Sequence, residues 1–325
     1  AFLVNFLLPG FNQFTNKQLT FGFATDYRIW VLAITFLIIT GFLSGSYPAY
    51  VLSRLNPVFL LKGAKIKNKN DLALRKGLVV FQFTMSIILI AETIIIFRQM
   101  DFMQNKNLGL EKEQLLQLKI RGNINPKHQL IKDEISKVPS VLMATATNFS
   151  YRGGISNIAT LPEGAADNEI TSEAVISVDP DFMRTFGIEM ISGRDFSKDV
   201  PTDEAEAFIV NESAVKHFNW GTPETALGKK LDWGLGKKGK VIGVVKDFNF
   251  TSLHENIQPL IIHIQRDWFN FITLKIKGDD IPKTIEQLEE KWNSLNLESP
   301  FDYSFLDADF EKLYRAEQQT QSIIG

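Results

Sequence analysis

The chain has 325 residues, 45% of them hydrophobic and 22% charged, a length that accommodates two ordinary domains. Its 35 basic and 37 acidic residues leave a formal net charge of −2, which gives no electrostatic basis for binding nucleic acid. The absence of cysteine excludes a disulfide framework and every thiolate metal site.

These averages hide a split, because the apolar excess lies before Arg98 and most acidic residues lie after it. The chain begins at Ala1 inside an apolar stretch, with neither Met nor a basic segment followed by a cleavage site, and reads as a fragment of something longer. AFLVNFLL at 1–8 is too short to cross a bilayer and is broken by Pro9-Gly10, so it reads as the tail of an earlier membrane helix. A polar loop follows at 11–28, and 29–52 is predicted to cross. Within that crossing, Gly41 and Gly45 form a small-xxx-small pair that lets another helix approach; chance occurrence in an apolar helix is the alternative.

The segment 53–76 carries Arg54, Lys62, Lys65, Lys67, Lys69, Arg75 and Lys76 against the single acid Asp71. Such a loop resists translocation and is predicted to be a cytoplasmic connector. The same composition suits contact with anionic lipid or a solvated linker.

GLVVFQFTMSIILIAETIIIF at 77–97 is about 21 residues, roughly 31 Å as a helix, close to the thickness of a bilayer's hydrocarbon core. Arg75, Lys76 and Arg98 flank it, and only Gln82 and Glu92 inside it are strongly polar. A buried helix of a soluble core is the alternative; the second apolar run at 29–52 argues against it. With 53–76 in the cytoplasm, 1–28 and everything beyond Arg98 lie outside. Glu92 has the character of a proton-relay carboxylate, but Arg98 is about one and a half turns away, which points to snorkelling or pairing. FRQMDFMQN at 97–105 contains no Gly or Pro, so the helix should run on as a stalk to about Asn105.

Beyond the stalk the pattern is mixed. Strands are predicted at 115–120, 141–148, 170–178, 208–210, 240–245, 259–264, 271–276 and 301–306. Helices are predicted at 125–137, from Asp179-Pro180 to Phe186, after an Asn211 cap to Phe218, at 281–293, and from Asp307 to about Ser322. Phe310, Leu313, Tyr314 and Glu317 give that last helix a narrow seam, and it should return beside the stalk. The predicted fold is therefore a membrane protein with transmembrane α-helices and a large extracytoplasmic α+β domain at 99–306. Two subdomains are expected, one an insertion at about 151–269.

Sites for chemistry are sparse. GLGKKG at 234–239 matches the dinucleotide fingerprint, but KVIGVV behind it reads as a strand and not as a phosphate-binding helix, so a hairpin turn is expected. There is no GxxxxGK[ST] loop and no GxSxG elbow. His128, His217, His254 and His263 fall in separate elements without metal-ligand spacing and are expected at the surface. No catalytic residue, metal site or cofactor is assigned.

Several stretches resemble the FtsX-like, MacB-type permease subunits of ABC transporters, and in particular the two-module permeases of Bacteroidetes. They are SGSYPAYVLSRLNPVFLLKG at 44–63, LRKGLVVFQFTMSIILI at 74–90 and QNKNLGLEKEQLLQL at 104–118, then VDPDFMRTFGIEMISGRDF at 178–196, VNESAV at 210–215 and VIGVVKDFNFTSLHENIQPL at 241–260. The resemblance implies a non-enzymatic permease that carries motion from a separate cytoplasmic ATPase subunit to its outer domain. It also implies an inner-membrane, multi-pass location, with the bilayer and a periplasmic adaptor or a second permease copy as partners. Residues 1–52 would end the first membrane module, 77–98 would begin the second, 99–306 would be its periplasmic core, and 307–325 would lead to a further membrane helix. The motif residues have direct physical readings: Asp179 and Pro180 start a helix, Gly193 and Arg194 make a turn, and Asn211 caps. Gly243 permits close packing, and Lys246, Asp247 and Phe248 end a strand. A membrane-anchored sensor or scaffold is the alternative, and an anchored envelope enzyme has the least support.

Overall fold

The computed structural model describes residues 6, 8, 9, 12, 27–53, 69–120, 122–153, 155–165, 170–233 and 237–314. Most of the expected tail at 1–8 and loop at 11–28, the connector from 54 to 68, residues 234–236 and the exit helix beyond Tyr314 lie outside the described residues. The chain divides into two compact units at Phe97.

α1, Tyr27–Ser53, lies in the first, and α2, Lys69–Asn105, begins in it and runs on into the second, as the absence of Gly and Pro at 97–105 predicts. Among the described residues one stretch is long and apolar enough to cross a membrane: Arg75–Gln99, 25 residues with mean hydropathy 2.2. Its hydroxyls turn inward. Thr84, Ser86 and Thr93 donate to the carbonyls of Val80, Gln82 and Leu89, so the helix presents few unsatisfied polar groups. The crossing expected at 29–52 is weaker, because its apolar part is confined to Trp30–Ser46. Tyr47 and Pro48 dilute the run behind it.

The second unit holds two sheets. The smaller has the order β11-β1-β10-β2 and is wholly antiparallel, from Tyr303–Phe305, Leu115–Lys119, Phe271–Ile276 and Val141–Thr147. Leu116 and Leu118 on β1 and Ile272 and Leu274 on β10 share a core with Ile131 and Ile135 of α3 (His128–Ile135) and Leu288 and Trp292 of α8 (Ile281–Ser294). Full burial of such a side chain stabilises by about 1.5–3 kcal/mol. Asp280 caps α8 by accepting from the Lys283 N–H.

The larger sheet has seven strands: β3 (Ser156–Pro162), β4 (Thr171–Ser177), β5 (Met190–Gly193), β6 (Ala207–Asn211), β7 (Lys230–Trp233), β8 (Lys237–Val245) and β9 (Leu260–His263). Because β7 pairs with both β3 and β8, six of them close a circuit, β8-β6-β9-β4-β3-β7, with β5 added beside β7 on β8. Short helices connect them: α4 (Phe182–Phe186), α5 (Thr202–Glu206), α6 (Glu212–His217) and α7 (Pro223–Ala226); α9 (Leu306–Lys312) follows β11. The antiparallel pairing of β7 with β8 puts Lys237, Lys238 and Gly239 in a strand, so no helix follows the glycines to receive a pyrophosphate.

Candidate functional site

The chain enters the second unit along α2 and meets the loop after β8 at once. Gly109 adopts φ +76°, and a Cβ there would stand 2.8 Å from the Asp247 carbonyl oxygen, so only glycine lets the two backbones press together. The Leu108 carbonyl accepts from the Asn249 N–H at 2.7 Å and from its Nδ2 at 3.3 Å. Tyr151 donates its hydroxyl to the Asn249 carbonyl at 2.6 Å, and burial pushes that hydroxyl's pKa up, which keeps the proton in place. Glu111 donates its N–H to the Phe186 carbonyl at the end of α4.

The departing chain meets the same loop. Tyr314, 2% exposed, accepts the Leu253 N–H on its hydroxyl, and its ring lies 5.2 Å from Phe310. Leu108, Phe248, Phe250, Phe310 and Tyr314 belong to one core cluster. The loop 246–253 therefore grips both the entry and the exit of the domain.

On its other side the loop is bound to the large sheet. Asp247 accepts from the Ser213 N–H at 2.9 Å and its hydroxyl at 2.7 Å, while the Asp247 N–H donates to Glu212 Oε2. Lys246 pairs with Glu189. Asn211 caps α6 by accepting from the Ala214 N–H, and it also accepts from the Leu260 N–H and donates to the Gln258 carbonyl, so one amide joins β6, α6 and β9. Nearby, a Cβ on Gly193 would meet the Ile242 carbonyl oxygen at 2.3 Å, and one on Gly243 the Arg194 carbonyl oxygen at 2.5 Å. The Arg194 guanidinium holds Asp203 with two parallel bonds of 2.7 and 2.6 Å.

Asp179 lies at a different junction. Its carboxylate accepts from the Thr145 hydroxyl and the Ala146 N–H on β2, from the Asp181 N–H, and from Lys132 of α3. Lys132 also reaches Asp181 at 2.6 Å, and Lys198 and Arg184 reach Asp181 from outside. Burial raises the pKa of the Asp181 carboxyl, but the bonds from Lys132 and Lys198 outweigh it and hold it below the ordinary value. This ionic knot ties the segment after β4 to the small sheet. Pro180 lines a cleft of 180 Å³ there with His128, Lys198 and Phe269.

Two histidines are not at the surface. His128 is 6% exposed, with Nδ1 2.9 Å from the Asn125 carbonyl and its ring edge-on to Phe269. His263, 0% exposed, packs 4.2 Å from the Trp233 ring on the last position of β9, and burial beside Lys237 pushes its imidazole down to about 3. Separate elements in sequence converge here because the strand circuit closes. His217 faces Glu173 at 3.1 Å, and His254 is exposed. In the first unit, Gln82 and Glu92 lie on α2. Gly41 and Gly45 lie on α1, where an added Cβ would meet nothing described within 4 Å.

The family model described as the MacB-like periplasmic core domain matches residues 83–291. The chain belongs to this family. Among solved structures, the periplasmic region of MacB from Actinobacillus actinomycetemcomitans is 16% identical over 65% of this chain and 97% of that one, with a TM-score of 0.46. The extracellular domain of the noncanonic ABC-type transporter YknZ from Gram-positive bacteria is 14% identical over 58% of this chain and 98% of that one, with a TM-score of 0.42. No curated protein matches. In this MacB-like core the motif residues gather at three places: the entry-exit loop, the Gly193–Gly243 crossing and the Asp179 knot. Lys132, Tyr151, Asn249 and Tyr314 complete the first and last of these; Asn249 lies in the stretch 241–260 and Tyr314 in the helical seam, while no local motif marks Lys132 or Tyr151.

Proposed function

We propose that the chain is part of a membrane permease of an ABC transporter. It couples ATP hydrolysis by a separate cytoplasmic subunit to conformational change in its outer domain, for export or extraction of a substrate in the cell envelope. The protein would sit in a bacterial inner membrane as a multi-pass permease, its main domain in the periplasm, with a periplasmic adaptor or a second permease copy as further partners. Its own contribution is mechanical rather than catalytic.

The observation that carries this reading is continuity. One helix, Lys69–Asn105, contains the apolar stretch Arg75–Gln99, and three residues after it the Leu108 carbonyl is held by Asn249. A stroke delivered to such a helix reaches the loop 246–253 without passing through a flexible linker, where it would be lost. The family match supports the same assignment.

The decisive test inserts Gly-Gly-Ser-Gly after Gln99 in the full-length protein. Transport should fall while membrane insertion and the partner's basal ATPase activity persist; unchanged transport would favour the sensor or scaffold reading. Orientation is tested with single cysteines, since the chain has none of its own. In intact spheroplasts an impermeant reagent should label Ser252→Cys and spare Lys67→Cys.

A further inference from the structure

The β7-β8 hairpin forms the floor of an open cleft of 590 Å³, within the size range of small-molecule sites. One wall comes from β3 and its end, with Leu161 (38% exposed) and Pro162. Ile242 and Ala207 continue the apolar lining. At one end the carboxyl end of α5 presses on β8: a Cβ on Gly239 would stand 2.0 Å from the Glu206 carbonyl oxygen, so glycine is required where the helix closes the cleft.

The charges on this floor are unequal in their partners. Asp232 and Lys238 stand opposite each other in register and form an ion pair of 2.6 Å. Arg194 is held by Asp203, and Glu163 is taken by the Lys229 ammonium and the Lys230 N–H. The next cross-strand pair on the same face is Lys230 opposite Lys240, both exposed. Among the described residues neither ammonium has an ion pair, and Glu206 is the one lining carboxylate left over. Directly opposed like charges have Cβ atoms about 4.5–5.5 Å apart and destabilise a sheet. An anion seated between them would turn that repulsion into attraction, while the adjoining wall is apolar.

We propose that this cleft binds a small soluble amphiphile with one anionic head. The carboxylate or phosphate lies between Lys230 and Lys240, and the apolar body lies along Leu161, Pro162 and Ile242. The site stands independently of the transport reading, because it rests on the cleft alone.

The test is titration calorimetry on the purified full-length protein with octyl phosphate, with octanol, octyltrimethylammonium and inorganic phosphate as comparison probes. Octyl phosphate should bind at least tenfold more tightly than any of the three. The double variant Lys230→Ala, Lys240→Ala should lose at least tenfold in affinity for octyl phosphate. It is expected to fold, since it removes two exposed charges that repel. Leu161→Ser should weaken octyl phosphate and leave inorganic phosphate unchanged. Octanol binding as well as octyl phosphate would overturn the anionic head. Inorganic phosphate binding as well would overturn the apolar body, and undiminished binding to the double variant would overturn the location.

Discussion

The junction at Asn249 and the junction at Asp179 both tie distant parts of the chain together, yet they are made of different groups. At Asn249 the bonds run between backbone amides, an amide side chain and two phenol hydroxyls. At Asp179 they run between aspartates and the cations Lys132, Lys198 and Arg184. Neutral bonds of this kind carry no net charge and are insensitive to salt. The ionic knot joins the two sheets through charged groups, with the Asp181 carboxyl, against its burial, held below its ordinary value by the bonds from Lys132 and Lys198.

The largest expected effect comes from breaking the knot. Lys132→Met leaves Asp179 buried without its main counter-charge and should cost the outer domain about 3–5 kcal/mol in urea unfolding. Asn249→Ala, its counterpart at the neutral junction, keeps the backbone bond to Leu108 and should cost no more than about 1–3 kcal/mol. Equal losses would show that the two junctions do not differ as described.

Gly109→Ala comes next, at about 2 kcal/mol, because alanine resists positive φ and its methyl meets the Asp247 carbonyl. The same unfolding measurement checks it, and transport should fall with it.

Asp195→Asn places the pH response. Burial raises the Asp195 carboxyl from 3.8 to about 6, against the Phe196 N–H it accepts and the nearby Arg184, with Asp181 and Asp179 adding to the rise. The native state therefore binds this proton more readily than the unfolded chain, so the stability it contributes is present below about pH 4 and is lost as pH rises through about 6. The asparagine variant should exceed the wild type at pH 7.5 by an amount on the order of 1 kcal/mol and match it near pH 4. Melting curves at the two pH values decide, and a constant difference would place the carboxyl in solvent.

Tyr314→Phe should have the smallest effect, about 1 kcal/mol or less and the same at both pH values, since it removes one neutral acceptor from the Leu253 N–H.

Much of the fold was legible because β1, β2, β4, β6, β9 and β10 are runs of β-branched and large apolar residues bounded by turn formers. The strands β3, β5 and β7 were not. MISG and KLDW are four residues each, and SNIATLP is polar on one side and ends in proline; they are strands because neighbours pair with them. The Asn211 cap could be read from its neighbours, as a local bond to Ala214. Asp179 reads locally as a helix start, and the chain does turn there, but its partner Lys132 lies 47 positions earlier and leaves no trace in the spacing. Tyr314 and Leu253 are 61 positions apart and equally silent.

One further consequence follows from β8. This strand is nine residues long, roughly 30 Å, and runs from the floor of the cleft to the residue before the loop that grips Leu108 and Tyr314. β6 occupies one edge, and β7 followed by β5 occupies the other. Hydrogen bonds on both edges hold the strand in register except at Ile242, an extra residue between the pairs Phe208–Val241 and Ile209–Gly243. If the proposed stroke reaches the loop 246–253, the cleft floor is the other end of the same strand, and the proposed ligand between Lys230 and Lys240 would bear on that end.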